Sequence, residues 1–183
     1  ANTIFPHMFA WLDSVQEIIR RHPDTLFIIR AHPDEKRPGS KKLSNESVSD
    51  WVTANQVDRL PNVIFIDSQE YLSSYELIQR SKFVMVYNSS IGLEASLMGA
   101  VVVCGGRARY NRYSTAYLPD SVSDYRLLVT ELLDAETVQA PEEHLRNARR
   151  FLYYQFYRVS IPFEDYLQEG MRQGQVFLKP FRW

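Results

Sequence analysis

The sequence predicts an α/β protein in which parallel strands alternate with helices. Four short apolar runs, at residues 26–29, 63–66, 83–86 and 100–104, are typical of strands covered on both faces. Segments with apolar residues at helical spacing separate these runs. Strands joined through helices run parallel, so we expect a Rossmann-like, three-layer α/β/α domain with helices on both faces of one sheet.

Each helix has its own signal. Apolar residues at spacings of three and four predict a first helix over residues 5–21. A polar loop rich in lysine and serine, from residue 34 to about 45, leads to a second helix over residues 46–57. Ser73 and Glu76 match a capping box that begins a third helix. A fourth helix is predicted over residues 89–98, before Gly99.

Beyond residue 106 the pattern changes. A loop rich in arginine and tyrosine covers residues 107–117, which we expect to be flexible, and helices are predicted at 125–133 and 142–157. No further strand is predicted, and the tail after Pro162 is aromatic. We therefore expect a core over residues 1–120 and a helical C-terminal extension over residues 121–183, packed on the same domain.

Composition limits the classes of function. The net charge is -1, from 21 basic and 22 acidic residues, which argues against nucleic acid as a partner. No apolar run approaches the roughly 20 residues of a transmembrane helix, and no signal peptide is visible. We expect a cytoplasmic protein, with peripheral attachment to the inner membrane equally compatible. Neither a metal site nor a cofactor is predicted, and Cys104 is expected to be a small buried side chain.

The loop after the first strand carries Arg30-Ala31-His32-Pro33. Ligands of open parallel sheets bind outside the carboxyl ends of the strands, so this position is favoured for a site. Arg30 and His32 are two residues apart and project to the same side of an extended chain, where they suit a phosphate or a carboxylate. The alternative is a surface turn with an incidental histidine.

The loop after the third strand carries Asn88, Ser89, Ser90, Gly92 and Glu94. Serines at a strand-to-helix turn can cap the helix and leave its first N–H groups for a phosphate. Gly92 would allow close approach of backbone or ligand, and the carboxylate of Glu94 could accept the hydroxyls of a ribose. The alternative is that a serine is only an N-cap and Glu94 only complements the helix dipole.

The loop after the fourth strand begins with Gly105-Gly106-Arg107 and is cationic and aromatic. We expect Arg107 to contact the ligand as part of a lid, with a solvated loop as an equal alternative. Arginines interleaved with tyrosines could also bind RNA, but one such loop on a nearly neutral chain is a weak indication.

Five segments together carry a likeness to a known family: Phe9-x-Trp11-Leu12, Arg30-Ala31-His32-Pro33, Leu60-Pro61-Asn62-Val63, Ser74-Tyr75-Glu76-Leu77-Ile78 and Tyr87-Asn88-Ser89-Ser90-x-Gly92-x-Glu94-Ala95. In this order they resemble bacterial capsule polysaccharide biosynthesis proteins, over roughly residues 9–113. Members of that family look like glycosyltransferases of the GT-B architecture, and some transfer Kdo from CMP-Kdo. Their motifs are similar to those with which certain bacterial sialyltransferases hold CMP.

The resemblance implies the C-terminal, donor-binding half of a GT-B enzyme. It makes His32 and Ser89 or Ser90 contacts to the donor phosphate, with Glu94 at the ribose and Arg30 assisting the charge. The implied partners are a nucleotide-sugar donor, a saccharide acceptor and an N-terminal acceptor domain, which is expected to carry the catalytic base. No catalytic residue is assigned in this chain, and alone it is expected to be inactive.

Two other functions remain open at this point. A similar serine-to-glutamate turn occurs in UDP-sugar epimerases, so the chain could be an epimerase-like domain that prefers UDP to CMP. It could also be a non-catalytic Rossmann-like module that binds a protein partner through its aromatic tail and the 107–117 loop.

Overall fold

A computed structural model of the chain describes residues 2–33, 35, 46–160, 163–170 and 175–180. Its contacts divide the chain into two compact units, residues 1–148 and residues 149–183. Helices and strands alternate through the first unit in the following order: α1 Met8–Arg21, β1 Phe27–Arg30, α2 Val48–Ala54, β2 Val63–Ile66, α3 Ser74–Arg80, β3 Val84–Val86, α4 Ile91–Leu97, β4 Val102–Cys104, α5 Val122–Asp134, and the start of α6 Glu142–Tyr154.

The strands pair in parallel, as the sequence predicts. β1 pairs with β2 from Phe27 opposite Val63 onward, and β3 pairs with β4 from Val84 opposite Val102 onward. Within the described residues these are two separate two-stranded sheets, one for each pair. The α/β class with parallel strands is thereby confirmed.

Burial differs between the two strand pairs. Every residue of β4 is buried, which confirms the predicted strand with both faces covered. In the first pair, by contrast, the register partners Ile28 and Ile64 are 42% and 48% exposed. The prediction of cover on both faces is therefore wrong for this pair.

Pairing continues beyond the point where the sequence predicts its end. Tyr117 forms a parallel bridge with Val103. Its carbonyl accepts a hydrogen bond from the Cys104 N–H at 2.8 Å, and its own N–H donates to the Val102 carbonyl at 2.9 Å. One residue is too short a segment to show a strand pattern, which explains why the sequence gives no sign of it.

One apolar core joins the elements of the first unit. It includes Trp11, Leu12, Val15, Ile18 and Ile19 on the inner face of α1, as the helical spacing predicts. The same cluster contains buried residues from both strand pairs and from α2 and α5. The same two helices, α1 and α5, therefore pack against both sheets and hold both sheets in one unit.

Trp11 is the centre of a buried polar contact in this core. Its indole Nε1 donates to the hydroxyl of Tyr125 on α5 at 2.8 Å. The ring also lies against Gly105, where a Cβ atom would come within 2.4 Å of the indole. Gly105 thus allows α1 to pack against the end of β4.

The end of α2 and the cap of α3 differ from the prediction. α2 ends at Ala54 instead of residue 57, because Gln56 takes a left-handed backbone with φ 53°. The predicted capping box at Ser73 is wrong: Ser73 is the N-cap of α3, but its hydroxyl forms no capping hydrogen bond. The capping box lies instead on α2, where Ser47 and Asp50 bond each other reciprocally.

The second unit contains the end of α6, a π-helical turn at Gln155–Val159 and a hairpin of β5 Leu167–Glu169 with β6 Val176–Leu178. The expectation of a purely helical tail without strands is therefore wrong. No described residue after Ala148 is buried. The three-residue strands are too short to show the alternation that signals an exposed strand.

Some predictions fall outside the described residues. The polar loop from residue 34 to about 45 does so except for Glu35, and so do Phe181 and Trp183 of the aromatic tail. Within the described ranges, no helix has both the length and the apolar character needed to cross a bilayer.

Candidate functional site

The carboxyl ends of the strands present the three loops that the sequence selects. Arg30, Val86 and Cys104 are the last residues of β1, β3 and β4. Two backbone hydrogen bonds join the turns after β3 and β4. The Gly105 N–H donates to the Val86 carbonyl at 2.8 Å, and the Gly106 N–H donates to the Tyr87 carbonyl at 2.7 Å. The parallel pairing therefore brings the second and third loops side by side.

Arg30 ends β1 with a guanidinium that is only partly satisfied. Its Nε donates to the Ser74 hydroxyl at the start of α3, at 3.0 Å. Its Nη1 is buried and has no hydrogen-bond partner in the part of the chain that the structure describes. A guanidinium stays charged at all ordinary pH values, so the free N–H groups of Nη1 can donate to an oxyanion.

His32 lies exposed, two residues beyond Arg30. Its backbone carbonyl accepts from the Glu35 N–H at 3.0 Å. The Glu35 side chain reaches the start of α2, where its Oε1 accepts from the Val48 N–H at 2.9 Å. The segment after β1 is thereby anchored to α2.

Glu94 lies in the first turn of α4 and is half-buried. Its Oε2 accepts a short hydrogen bond from the Tyr75 hydroxyl, and this bond raises the pKa of Tyr75. Tyr75 follows Ser74, the partner of Arg30, directly in the chain. The side chains of Arg30 and Glu94 therefore meet consecutive residues of α3, whose Cα atoms are about 3.8 Å apart.

The serines before α4 do not act as predicted. Ser90 is the N-cap of this helix, but its hydroxyl makes no capping hydrogen bond, so the predicted serine cap is wrong. The Ser89 carbonyl accepts from the Tyr110 hydroxyl at 2.8 Å and from the Gly92 N–H at 3.1 Å. Asn88 and Ser90 are exposed and Ser89 is half-buried.

Gly92 makes room for a side chain of the protein itself. A Cβ atom at this position would come within 2.2 Å of the Tyr110 hydroxyl and 2.9 Å of Val86 Cγ2. The predicted close approach to Gly92 is therefore made by Tyr110. Burial raises the pKa of this tyrosine strongly, so it stays a neutral donor to Ser89.

The loop after β4 is anchored, so the prediction of a flexible loop is wrong. Tyr110 and Asn111 are each 4% exposed. Asn111 accepts from the Ala108 N–H at 3.0 Å and donates to the Gly106 carbonyl at 2.9 Å. The neighbouring Cys104 is fully buried, as expected, and burial raises the pKa of its thiol.

Arg107 lies at the start of this loop and lines a cavity of about 550 Å³. The cavity is formed by the loop after β4 and by α6, with the following lining: Arg107, Asn111, Arg112, Ser114, Ala116, Tyr117, Leu118 and His144. Arg30, His32 and Glu94 do not line it. Arg107 thus belongs to a set of residues different from the one around Ser74 and Tyr75.

Sequence reasoning missed three side chains of these sites. Tyr75 and Tyr110 hold Glu94 and the Ser89 turn, and His144 is buried at the cavity. Each acts on a group distant in the sequence, and the only sequence signal among the three is the place of Tyr75 in one of the family segments. Among the described residues, no three histidine, cysteine or acidic side chains form a group that could hold a metal ion.

Comparison with known proteins agrees with the motifs. The family model of capsule polysaccharide biosynthesis proteins matches residues 8–157, which is most of the chain. No curated protein and no solved structure matches. The matched region contains Arg30, His32, the turn at residues 88–90, Glu94 and the cavity around Arg107. The chain therefore belongs to the capsule polysaccharide biosynthesis protein family.

Proposed function

We propose that the chain, which has a role in capsule synthesis, binds a nucleotide-activated sugar as the donor-binding part of a glycosyltransferase. The observation that carries the proposal is the convergence of Arg30 and Glu94 on Ser74 and Tyr75. It brings a cation with an unpartnered N–H group and a half-buried carboxylate to the first turn of α3. A nucleotide can use both groups, the cation for its phosphate and the carboxylate for its sugar hydroxyls.

Arg30 is proposed to hold the donor phosphate. Its Nη1 lacks a hydrogen-bond partner among the described residues, and charge-assisted hydrogen bonds to phosphate are among the strongest that a protein forms. Further donors are proposed to come from the neighbouring turns, where His32, Asn88 and Ser90 are exposed and Ser89 is half-buried. α4 is only seven residues long, so we attribute binding to these side chains and not to its dipole.

Glu94 is proposed to accept the hydroxyls of the ribose. The Tyr75 hydroxyl fixes Oε2, which orients the carboxylate and leaves Oε1 available. Gly92 is proposed to contribute indirectly, by letting Tyr110 hold the Ser89 turn. Tyr75 then acts as a positioning residue for Glu94.

The chemical task of this site is electrostatic. When the bond between sugar and phosphate breaks, negative charge develops on the departing nucleotide, and a fixed guanidinium stabilises that charge. We propose a Rossmann-like half of a GT-B enzyme as the architecture and CMP-Kdo as the donor class. The proposal assigns no catalytic base in this chain.

The test is a thermal-shift titration with CMP, UDP and CMP-Kdo. We expect CMP and CMP-Kdo to stabilise the wild type, and Arg30→Gln and Glu94→Gln to weaken binding about tenfold or more, since each removes a hydrogen bond to a charged group. Glu131→Gln, which removes an exposed carboxylate on α5, is the matched control and should bind as the wild type does.

The outcomes separate the alternatives. A preference for UDP over CMP would favour an epimerase-like domain instead. The donor site is rejected if no nucleotide stabilises the protein, or if Glu94→Gln, Arg30→Gln and the control bind nucleotide equally well. The protein-interaction module would then be the better account.

A further inference from the structure

The cavity beside β4 has the size and lining of a small-molecule site. Its volume of about 550 Å³ falls in the range of roughly 300–1,000 Å³ that is usual for ligand pockets. It adjoins the loop after β4, the short 3-10 helix Asn111–Tyr113 and α6. A monosaccharide would fit in this space.

The charges at the cavity are positive. Arg107 and Arg112 line it and are exposed, and no carboxylate occurs among the described residues that line it. Glu143 is the carboxylate nearest in sequence to His144, and its Oε1 accepts from Asn147 Nδ2 at 3.2 Å. Two guanidinium groups around one concave surface favour an anion.

His144 adds an imidazole with unused hydrogen-bonding capacity. The residue is 8% exposed, and its Nδ1 is buried without a hydrogen-bond partner from any described residue. Its ring packs edge to face on Tyr117, with centroids 4.8 Å apart and an interplanar angle of 77°. Buried polar atoms are almost always paired, so an orphaned one at a cavity points to a group that enters from outside.

The wall that carries the arginines is rigid. Asn111 bonds both Ala108 and Gly106, and the Thr115 hydroxyl donates to the Tyr110 carbonyl at 3.0 Å. Asn111 lies between Arg107 and Arg112 in the chain and is itself buried. A backbone held in this way presents both arginines from defined Cα positions, so binding has only their side chains to order.

From these observations we infer that the cavity is a second ligand site, which binds a monosaccharide-sized anion through Arg107, Arg112 and His144. The group recognised is an oxyanion, either the carboxylate of a sugar acid or the phosphate of a sugar phosphate. This site is separate from the proposed donor site, because neither Arg30 nor Glu94 lines it. The inference therefore does not depend on nucleotide binding.

The experiment is an NMR titration of the full chain with glucuronate, glucose 6-phosphate, inorganic phosphate and glucose. We expect saturable shifts of residues 107–118 and 144 with at least one of the anionic sugars and none with neutral glucose. Arg112→Gln should weaken that binding about tenfold or more, because it removes one charged hydrogen-bond donor. Arg109→Gln is the matched control, since this exposed arginine of the same loop does not line the cavity.

The pattern of ligands that bind identifies the anion that the cavity recognises. Binding of glucuronate alone assigns a carboxylate site, binding of glucose 6-phosphate alone assigns a phosphate site, and binding of both assigns a general oxyanion site. Arg112 is exposed, so its variant should fold, and a His144→Gln variant serves as a second test if its spectrum is that of a folded protein. The inference is overturned if only inorganic phosphate or glucose binds, if nothing binds, or if Arg112→Gln and Arg109→Gln bind equally.

Discussion

Gly92 and Tyr110 show how one missing side chain determines a turn. The Tyr110 hydroxyl occupies the space that a Cβ atom at residue 92 would need, and from there it donates to the Ser89 carbonyl. We predict that Gly92→Ala lowers the free energy of unfolding by about 1–3 kcal/mol, the usual cost of overpacking. Urea denaturation of the two proteins measures the difference.

A double mutant tests the cause of that loss. Tyr110→Phe removes the oxygen 2.2 Å from the added methyl group, although Val86 Cγ2 at 2.9 Å remains. The combined variant should therefore be more stable than the sum of the two single losses predicts. If the two losses of stability simply add, the contact with the Tyr110 hydroxyl is not the reason why residue 92 must be glycine.

His144 makes stability depend on pH. Burial lowers its pKa below the ordinary value of 6.5, and the Glu143 carboxylate opposes part of this effect. The unfolded chain therefore binds the proton at a higher pH than the folded chain does. The stabilisation from a neutral His144 is complete above pH 6.5 and is lost as the pH falls from there toward the folded-state pKa.

Urea midpoints measured between about pH 8 and pH 5 test this prediction. We expect the wild type to lose more stability over this range than His144→Gln, which keeps a similar polar shape without a titrating group. Parallel curves for the two proteins would mean that His144 titrates alike in the folded and unfolded states.

At the scale of elements, α1, α5 and β4 meet at Trp11. Tyr125 is fully buried, and its hydroxyl accepts from the indole Nε1 at 2.8 Å. We predict that Tyr125→Phe costs about 1–3 kcal/mol, because it leaves a buried N–H without a partner. Thermal and urea unfolding measure the cost.

The control for this variant is Tyr71→Phe, because Tyr71 is fully exposed. Its stability should stay within about 0.5 kcal/mol of the wild type. Equal stability of the two variants would contradict a structural role for the buried contact between α1 and α5.

Most helices and strands were predictable, because their apolar residues follow a recognisable pattern in the sequence. α1 follows the spacing of its apolar residues, and the four strands of the first unit follow their apolar runs. The errors arise where the sequence carries no repeating apolar pattern. They are the left-handed Gln56 that ends α2, the single bridging residue Tyr117, and the short tail hairpin β5–β6. Backbone turns and isolated bridges are decided by tertiary contacts.

The candidate site was predictable in part. Arg30 and Glu94 follow from the rule that ligands bind at the carboxyl ends of parallel strands, and they do meet a common element, α3. Tyr75, which orients Glu94, lies in one of the family segments. This position was the only indication in the sequence that Tyr75 has a role. Nothing local connects Arg107 with His144, because they come together only through the packing of α6.

At the scale of the whole chain, the two sheets matter because one core covers both. Buried residues of α1 and α5 pack with residues of β1 and β4 in a single cluster. The strand ends that carry Arg30 and the turn before Glu94 are therefore held by the same pair of helices. The central claim is that one nucleotide contacts both strand ends at the start of α3.

Mapping amide chemical shifts during a CMP titration tests this claim most directly. The account predicts that the largest changes fall together, with one dissociation constant, at residues 30–32, 74–75 and 88–94. Changes confined to one of these segments, or only to the cavity at residues 107–118 and 144, would contradict it.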